Sequence, residues 1–199
     1  MERNHDLKQL REFTHVVQSE IVRAGRRMNA DYFNESLQLI RQCVSEGGRL
    51  HMTGIGKPHH IASYMASLLS SVGTPCYLLD GTEATHGSSG QVRPGDIVFC
   101  ISYYGNVPEL ISTIETLKRN GAKTISLTGF DDSWIARNTD VHLNCHIERE
   151  GDNLGKPPRT SMLVTLYVLM GLSLILQEEN GITPENYVKY HPSGQLGKL

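Results

Sequence analysis

Leu50-His51-Met52-Thr53-Gly54-Ile55-Gly56-Lys57-Pro58 is a short apolar strand that turns through two glycines straight into a helix. Ile61, Tyr64, Met65, Leu68, Leu69 and Val72 then recur with a helical period. The two glycines allow a tight turn and a close approach of the backbone to a ligand. Pro58 suits the first turn of a helix, where its missing N–H costs nothing. Free N–H groups and the positive end of the helix dipole favour an anion there, and Lys57 adds a full charge. This is not a nucleotide P-loop, because Gly54 and Gly56 are too close and Pro58 stands where a magnesium-binding Ser or Thr belongs. Nor is it a dinucleotide fingerprint, since His59 occupies the place of the third glycine.

Working outward, strands and helices alternate. One helix is expected over residues 6–28, with Leu10, Phe13, Val17, Ile21, Ala24 and Met28 on one stripe. A second follows Asn29 and stops at Gly47-Gly48. Pro75–Leu79 reads as a strand, and Ile97-Val98-Phe99-Cys100-Ile101 as a strand buried on both faces. A helix through Leu110, Ile114 and Leu117, a strand Lys123–Leu127 and a short helix near Trp134 come next. Val141, Leu143, Cys145 and Ile147 alternate with polar residues, as in an edge strand. The apolar run Met162–Leu176 is short for a membrane span and fits a buried core helix. A short C-terminal helix ends the series. The fold expected is α/β, three layers with a five-stranded parallel sheet between helices, in one domain over 1–199. Helices within residues 1–46 would pack on that domain or on an oligomer partner.

Composition narrows the function. A net charge of −2 gives no reason to expect nucleic acid as a partner, which usually demands a basic face. Cys43, Cys76, Cys100 and Cys145 are widely spaced, so neither a zinc site nor a disulfide framework is indicated. The stretch over residues 1–6 is charged and holds no apolar signal segment. The expectation is a cytoplasmic, reduced protein without a membrane partner.

In a parallel sheet, ligands bind beyond the carboxyl ends of the strands. The segments just past those ends are Gly54–Lys57, Asp80–Gly90, Ser102–Asn106 and Glu148–Glu150. They gather a lysine, a histidine, carboxylates and helix N-termini at one edge. Asn106 is placed to cap the next helix, with Glu109 in its first turn.

The runs G-I-G-K-P-H-H-I, E-A-T-H-G-S-S-G, I-S-Y-Y-G-N-V-P-E and the terminal H-P-S-G-Q-L-G together resemble the sugar isomerase (SIS) family, most closely its arabinose-5-phosphate isomerases. The resemblance covers about Gly48 to Leu199. It implies a flavodoxin-like sheet of order 2-1-3-4-5, a homo-oligomer that is a tetramer, no obligatory cofactor or metal, and a sugar phosphate as substrate. Position by position, it puts the functional lysine at Lys57, the histidines at His86 and His191, and the carboxylates at Glu109 and Glu150. Substrate-binding positions fall on Gly54, Gly56, Ser88, Ser102, Tyr104, Gly105 and Asn106.

Two departures stand out. The usual G-K-S-G-H is Gly56-Lys57-Pro58-His59-His60, and the usual S-N-S-G-E-S phosphate loop is Ser102-Tyr103-Tyr104-Gly105-Asn106-Val107. Two phosphate-bonding hydroxyls have thus become Tyr104 and Val107. Arg159, where the family commonly has threonine, offers a bidentate replacement. Longer members continue into paired regulatory CBS domains, and the expectation here is a chain without them.

The residue set suits aldose–ketose isomerisation through an enediol or enediolate, which needs a base between C1 and C2, a proton shuttle between O1 and O2, and positive charge near the oxyanion. Glu150 is the first choice for the base, with His191 or His86 as acid or ring opener, Lys57 as charge stabiliser and Glu109 orienting or sharing protons. Replacing Glu150 or His191 by alanine is expected to lower turnover by about two orders of magnitude or more and leave the fold intact. Each residue also has a plainer reading: Glu109 as a helix-dipole partner, Glu150 as part of a solvated Glu-Arg-Glu run, and His5, His15, His51, His142 and His146 as structural or solvated. A non-catalytic phosphosugar sensor and a ketohexose-phosphate isomerase remain as alternatives.

Overall fold

The computed structural model describes residues 7–195 of the chain. His5 and the last residues of the terminal motif, Leu196 and Gly197, lie outside the described residues. Five strands, Leu50–Gly54 (β1), Cys76–Leu78 (β2), Ile97–Ile101 (β3), Lys123–Thr128 (β4) and Val141–Asn144 (β5), pair in parallel in the order β2-β1-β3-β4-β5. Seven α-helices are described: Lys8–Arg27 (α1), Ala30–Ser45 (α2), Lys57–Ser71 (α3), Pro108–Arg119 (α4), Trp134–Asn138 (α5), Thr160–Glu179 (α6) and Pro184–Tyr190 (α7).

The continuous apolar run of β3 has a simple cause. Ile97, Phe99 and Ile101 join one core, with α2, α3 and α6, while Val98 and Cys100 join a second, with α4 and α5. A strand covered on both faces has no solvent side to make polar. Asn29 starts α2 by accepting the N–H of Tyr32 at 2.9 Å, a helix cap on which the second helix begins.

Three expectations are corrected. In α1 the residues turned fully inward are Val16, Glu20 and Ala24, and Leu10 of the predicted stripe is 56% exposed. Glu20 turns in because its carboxylate accepts the N–H of Glu148 at 3.1 Å. The strand β5 ends at Asn144, whose Oδ1 accepts the N–H of His146 at 2.9 Å, although the alternation of burial runs on through Cys145 and Ile147. The helix α6 packs against α1 and α3, yet Leu163 and Leu174 stay exposed in one chain, so it is not covered on every side. It is the one described helix long and apolar enough to cross a membrane, and Val164, Val168, Leu169 and Leu172 are buried in the core.

The amino ends of β1 and β3 are clamped by Asp96, which is buried. Its oxygens accept from the Arg49 N–H (2.9 Å), the Arg49 guanidinium (2.8 Å), the Arg93 N–H (2.9 Å) and His51 Nε2 (3.1 Å). Burial works against the charge on Asp96, but these donors outweigh it and hold its carboxyl below the usual range. Burial also holds the His51 imidazole below its usual value. His51 is therefore a structural histidine.

Asp96→Asn is expected to lower stability by about 3 kcal/mol at neutral pH, since it leaves buried donors facing a neutral amide. A depressed carboxyl stabilises the fold fully above its unfolded pKa and loses that contribution as pH falls through the folded value. Urea midpoints should therefore converge for the two proteins below about pH 4. A gap that persists unchanged at low pH would assign the loss to packing instead.

Candidate active site

The four loops at the carboxyl edge are each seated by a different local device. After β1, a Cβ on Gly54 would lie 2.8 Å from Pro58 Cβ and 2.9 Å from the Pro58 carbonyl carbon, so no side chain fits. Gly56 caps α3 with φ +68°, and no side chain caps that helix. Lys57 is exposed and makes no ion pair among the described residues.

After β2, Asp80 Oδ1 accepts from the Thr82 hydroxyl (2.6 Å), the Thr82 N–H (2.9 Å) and the Glu83 N–H (3.1 Å). The Thr82 bond, with the others, lowers the Asp80 carboxyl from its ordinary value. The Thr113 hydroxyl of α4 ties down the same turn by donating to the Gly81 carbonyl at 2.5 Å. His86 emerges from this turn into a cleft that Glu109, Pro108, Ser112, Thr82 and Thr85 also line. His86 and Glu109, 23 positions apart by number, thus face one space. Ser88 is exposed on the next turn and does not line that cleft.

After β3, Ser102 is buried and its carbonyl accepts the Gly105 N–H at 3.1 Å. Gly105 has φ +65° and lies against Ser133, which a Cβ would strike. Asn106 does not cap α4, as its position had suggested. Its Oδ1 accepts the N–H of Trp134 at 2.9 Å, and its amide donates to the Tyr104 carbonyl at 3.2 Å. The side chain is drawn to the start of α5, and α4 begins at Val107-Pro108 without a side-chain cap. Tyr104 is exposed and stacks on Phe130 (centroids 5.9 Å apart, planes 13°), with Tyr103 edge-on to both. Burial pushes the Tyr103 phenol up to about 12, and its hydroxyl donates to the Ile147 carbonyl at 3.2 Å. A cavity of about 180 Å³ lies between this turn and the start of α3, lined by Ile55, Pro58, Ser102, Tyr103, Tyr104, Val107, Lys156 and Pro158 among others.

Glu150 is 5% exposed, which rules out the solvated-run reading. Its Oε2 accepts the N–H groups of Arg159 (2.8 Å) and Ser161 (3.1 Å), and Oε1 accepts the Ser161 hydroxyl. The carboxylate thereby satisfies donors at the start of α6 that the helix itself leaves open. Oε2 has both lone pairs engaged, whereas Oε1 keeps one. The guanidinium of Arg159 is paired with Asp152 and does not line the cavity. Lys156, which sequence reasoning passed over, lines it instead. The signal was Lys156-Pro157-Pro158, a cation on a stiff segment just before the buried helix.

His191 is not brought to this edge. It stacks on Tyr187 (4.0 Å) and Nδ1 contacts the Tyr187 carbonyl at 3.0 Å, at the end of α7. That helix adjoins the C-terminal end of α6, where Asn180 bonds Thr74 (2.7 Å) at the amino edge of the sheet. His142 and His146 are each engaged, with the Thr128 hydroxyl and the Gly129 carbonyl at 3.0 Å. Among the described residues, no three His, Cys, Asp or Glu side chains gather as a metal ion requires.

Residues 44–174 match the SIS domain. A probable arabinose 5-phosphate isomerase of Haemophilus influenzae is 37% identical over 183 residues, or 92% of this chain and 53% of the relative. Arabinose 5-phosphate isomerase KdsD of Pseudomonas aeruginosa is 32% identical over 183 residues, or 92% and 54%. The chain spans about half the length of these curated relatives. The solved structure of E. coli CFT073 c3406 in complex with arabinose 5-phosphate has a TM-score of 0.87 at 30% identity, covering 96% of this chain and all of that one.

The burial of Glu150 changes one expectation: its replacement should affect the fold as well as turnover. Glu150→Gln, which presents an amide to the donors of α6, is expected to cost about 1–3 kcal/mol in urea unfolding. Unaltered stability would mean that the carboxylate does not seat the helix.

Proposed function

This chain belongs to the SIS-domain family, and we propose that it is a phosphosugar aldose–ketose isomerase working through an enediol or enediolate. The observation that carries the reading is the shared cleft of His86 and Glu109 at the carboxyl edge of the sheet, where the loops of Lys57 and Glu150 also emerge. A phosphate cradle alone would suffice for a sensor, whereas an acid–base pair facing one space is what proton transfer requires. The relatives named as arabinose 5-phosphate isomerases support arabinose 5-phosphate and ribulose 5-phosphate as the substrate pair.

The reaction moves one carbon-bound hydrogen from C2 to C1 and one oxygen-bound proton from O2 to O1. A base removes the C2 proton of the open-chain aldose, the electron pair forms the C1=C2 bond, and O1 gains a proton. Proton return to C1 with loss of the O2 proton completes the ketose. Glu150 is suited to the carbon-bound proton through Oε1, which retains a lone pair and is held rigidly by its other bonds. His86 and Glu109 are suited to the oxygen-bound protons and to ring opening. Lys57, uncompensated by any described carboxylate, stabilises charge developing on oxygen. Ser102, the backbone at Gly54, Gly56 and Gly105, and the Tyr104 hydroxyl border the space for the sugar phosphate. The side chains of Asn106 and Arg159 act on the protein instead, through Trp134 and Asp152.

His191 enters this scheme from a second copy of the chain, which explains a functional histidine on the far side of its own sheet. The exposed Leu163 and Leu174 of α6 favour the same conclusion, a homo-oligomer that we take to be a tetramer. Four buried free cysteines and a net charge of −2 suit a cytoplasmic enzyme that does not bind nucleic acid.

Incubation with a panel of pentose and hexose phosphates in deuterated water is expected to label C2, most strongly for arabinose 5-phosphate. His86→Ala and Glu109→Gln should each reduce the exchange rate by about 10²–10⁴-fold. Tight binding of a sugar phosphate with no exchange on any member of the panel would instead identify a sensor.

A further inference from the structure

The loop Gly151–Arg159 has a construction of its own. Asp152 Oδ1 accepts the N–H groups of Leu154 (3.1 Å) and Gly155 (2.6 Å), while its other oxygen pairs with Arg159. One carboxylate thus closes both ends of the loop. Gly155 turns the chain with φ +57°, and Pro157-Pro158 stiffens the approach to α6. The residue between them is Lys156, and it projects into the lining of the 180 Å³ cavity.

Arg159, at the end of this loop, is neutralised by Asp152 and does not line the cavity. Lys156 makes no ion pair among the described residues, and it is the one charged residue in the lining, whose other walls include Ile101, Leu110 and Met162. Pro58 and Val107, also in the lining, begin or precede α3 and α4, helices whose N-termini no side chain caps. The N-terminus of α6 is different, because Glu150 already occupies it. An anion in the cavity would therefore meet two open helix ends and an exposed lysine across a partly apolar gap.

We propose that Lys156 binds the phosphate of the substrate, compensating for the small hydroxyl residues that the family has where Tyr104 and Val107 stand here. The anion site follows from the cavity itself, and the identification of the anion as a sugar phosphate rests on the isomerase reading. Arg159, the arginine first suggested for this role, serves to close the loop that presents Lys156. The lysine acts on binding and not on proton transfer, so it governs preference for the phosphate ester over the free sugar.

The test uses the full chain and its Lys156→Ala and Lys156→Arg variants, with calorimetric titration of inorganic phosphate and arabinose 5-phosphate beside C2 exchange. Lys156→Ala should weaken both ligands and raise KM by about 10- to 100-fold, with kcat changed far less. Lys156→Arg should recover most of the affinity. Phosphate affinity and KM that are unchanged in Lys156→Ala would overturn the proposal while leaving the isomerase in place. Lysine-dependent phosphate binding in a protein that exchanges no C2 hydrogen would sustain the anion site and overturn the isomerase. A wild-type chain that binds neither ligand would overturn it outright.

Discussion

Parallel pairing is the constraint on which the rest of this molecule depends. Strands that all run one way need a crossover between each pair, and the crossovers put helices on both faces of the sheet. With both faces buried, the side chains of β1 and β3 are enclosed in the core, and every strand releases its chain at the same edge. Chemistry is thereby confined to four loops. Each loop is then seated by a local bond set or a close contact: Gly54 against Pro58, Asp80 over its own turn, Gly105 against Ser133, and Glu150 on the start of α6. A site assembled from loops of this kind is preorganised, which is where electrostatic catalysis obtains its advantage.

Glu150 shows how structure and chemistry share one group. Its burial is tolerable because donors at the start of α6 meet the charge, and those same bonds fix the direction of Oε1, which accepts only the Ser161 hydroxyl. Arg159 holds its loop through Asp152, and Lys57 and Lys156 make no ion pair among the described residues. Tyr104 and Phe130 add a stacked aromatic wall in place of the small hydroxyl residues expected of the phosphate loop.

Much of this was legible in the chain. The buried run Ile97–Ile101, the period from Ile61 to Val72 and the Gly54–Pro58 turn define a parallel α/β sheet with an anion-friendly edge. The motif positions supplied His86 and Glu109, and the cleft unites them. What escaped depended on partners remote in sequence. Asn106 is drawn from α4 to Trp134, Glu20 is turned inward by Glu148, and Arg159 is occupied by Asp152 while Lys156 three positions earlier reaches the cavity. No periodicity or composition encodes such a competition between bonds. The place of His191 is a different case, because its distance from the other residues within one chain is set by the course of α6 and α7.

That distance makes the central claim open to one direct measurement. His191→Ala and Lys57→Ala proteins, each inactive alone, are mixed under conditions that exchange subunits, and C2 hydrogen exchange is monitored on arabinose 5-phosphate. If each site takes Lys57 from one chain and His191 from another, some mixed sites contain both residues and activity returns with subunit exchange. Activity that stays at the level of the separate variants, in assemblies demonstrated to have exchanged subunits, would contradict a site shared between chains.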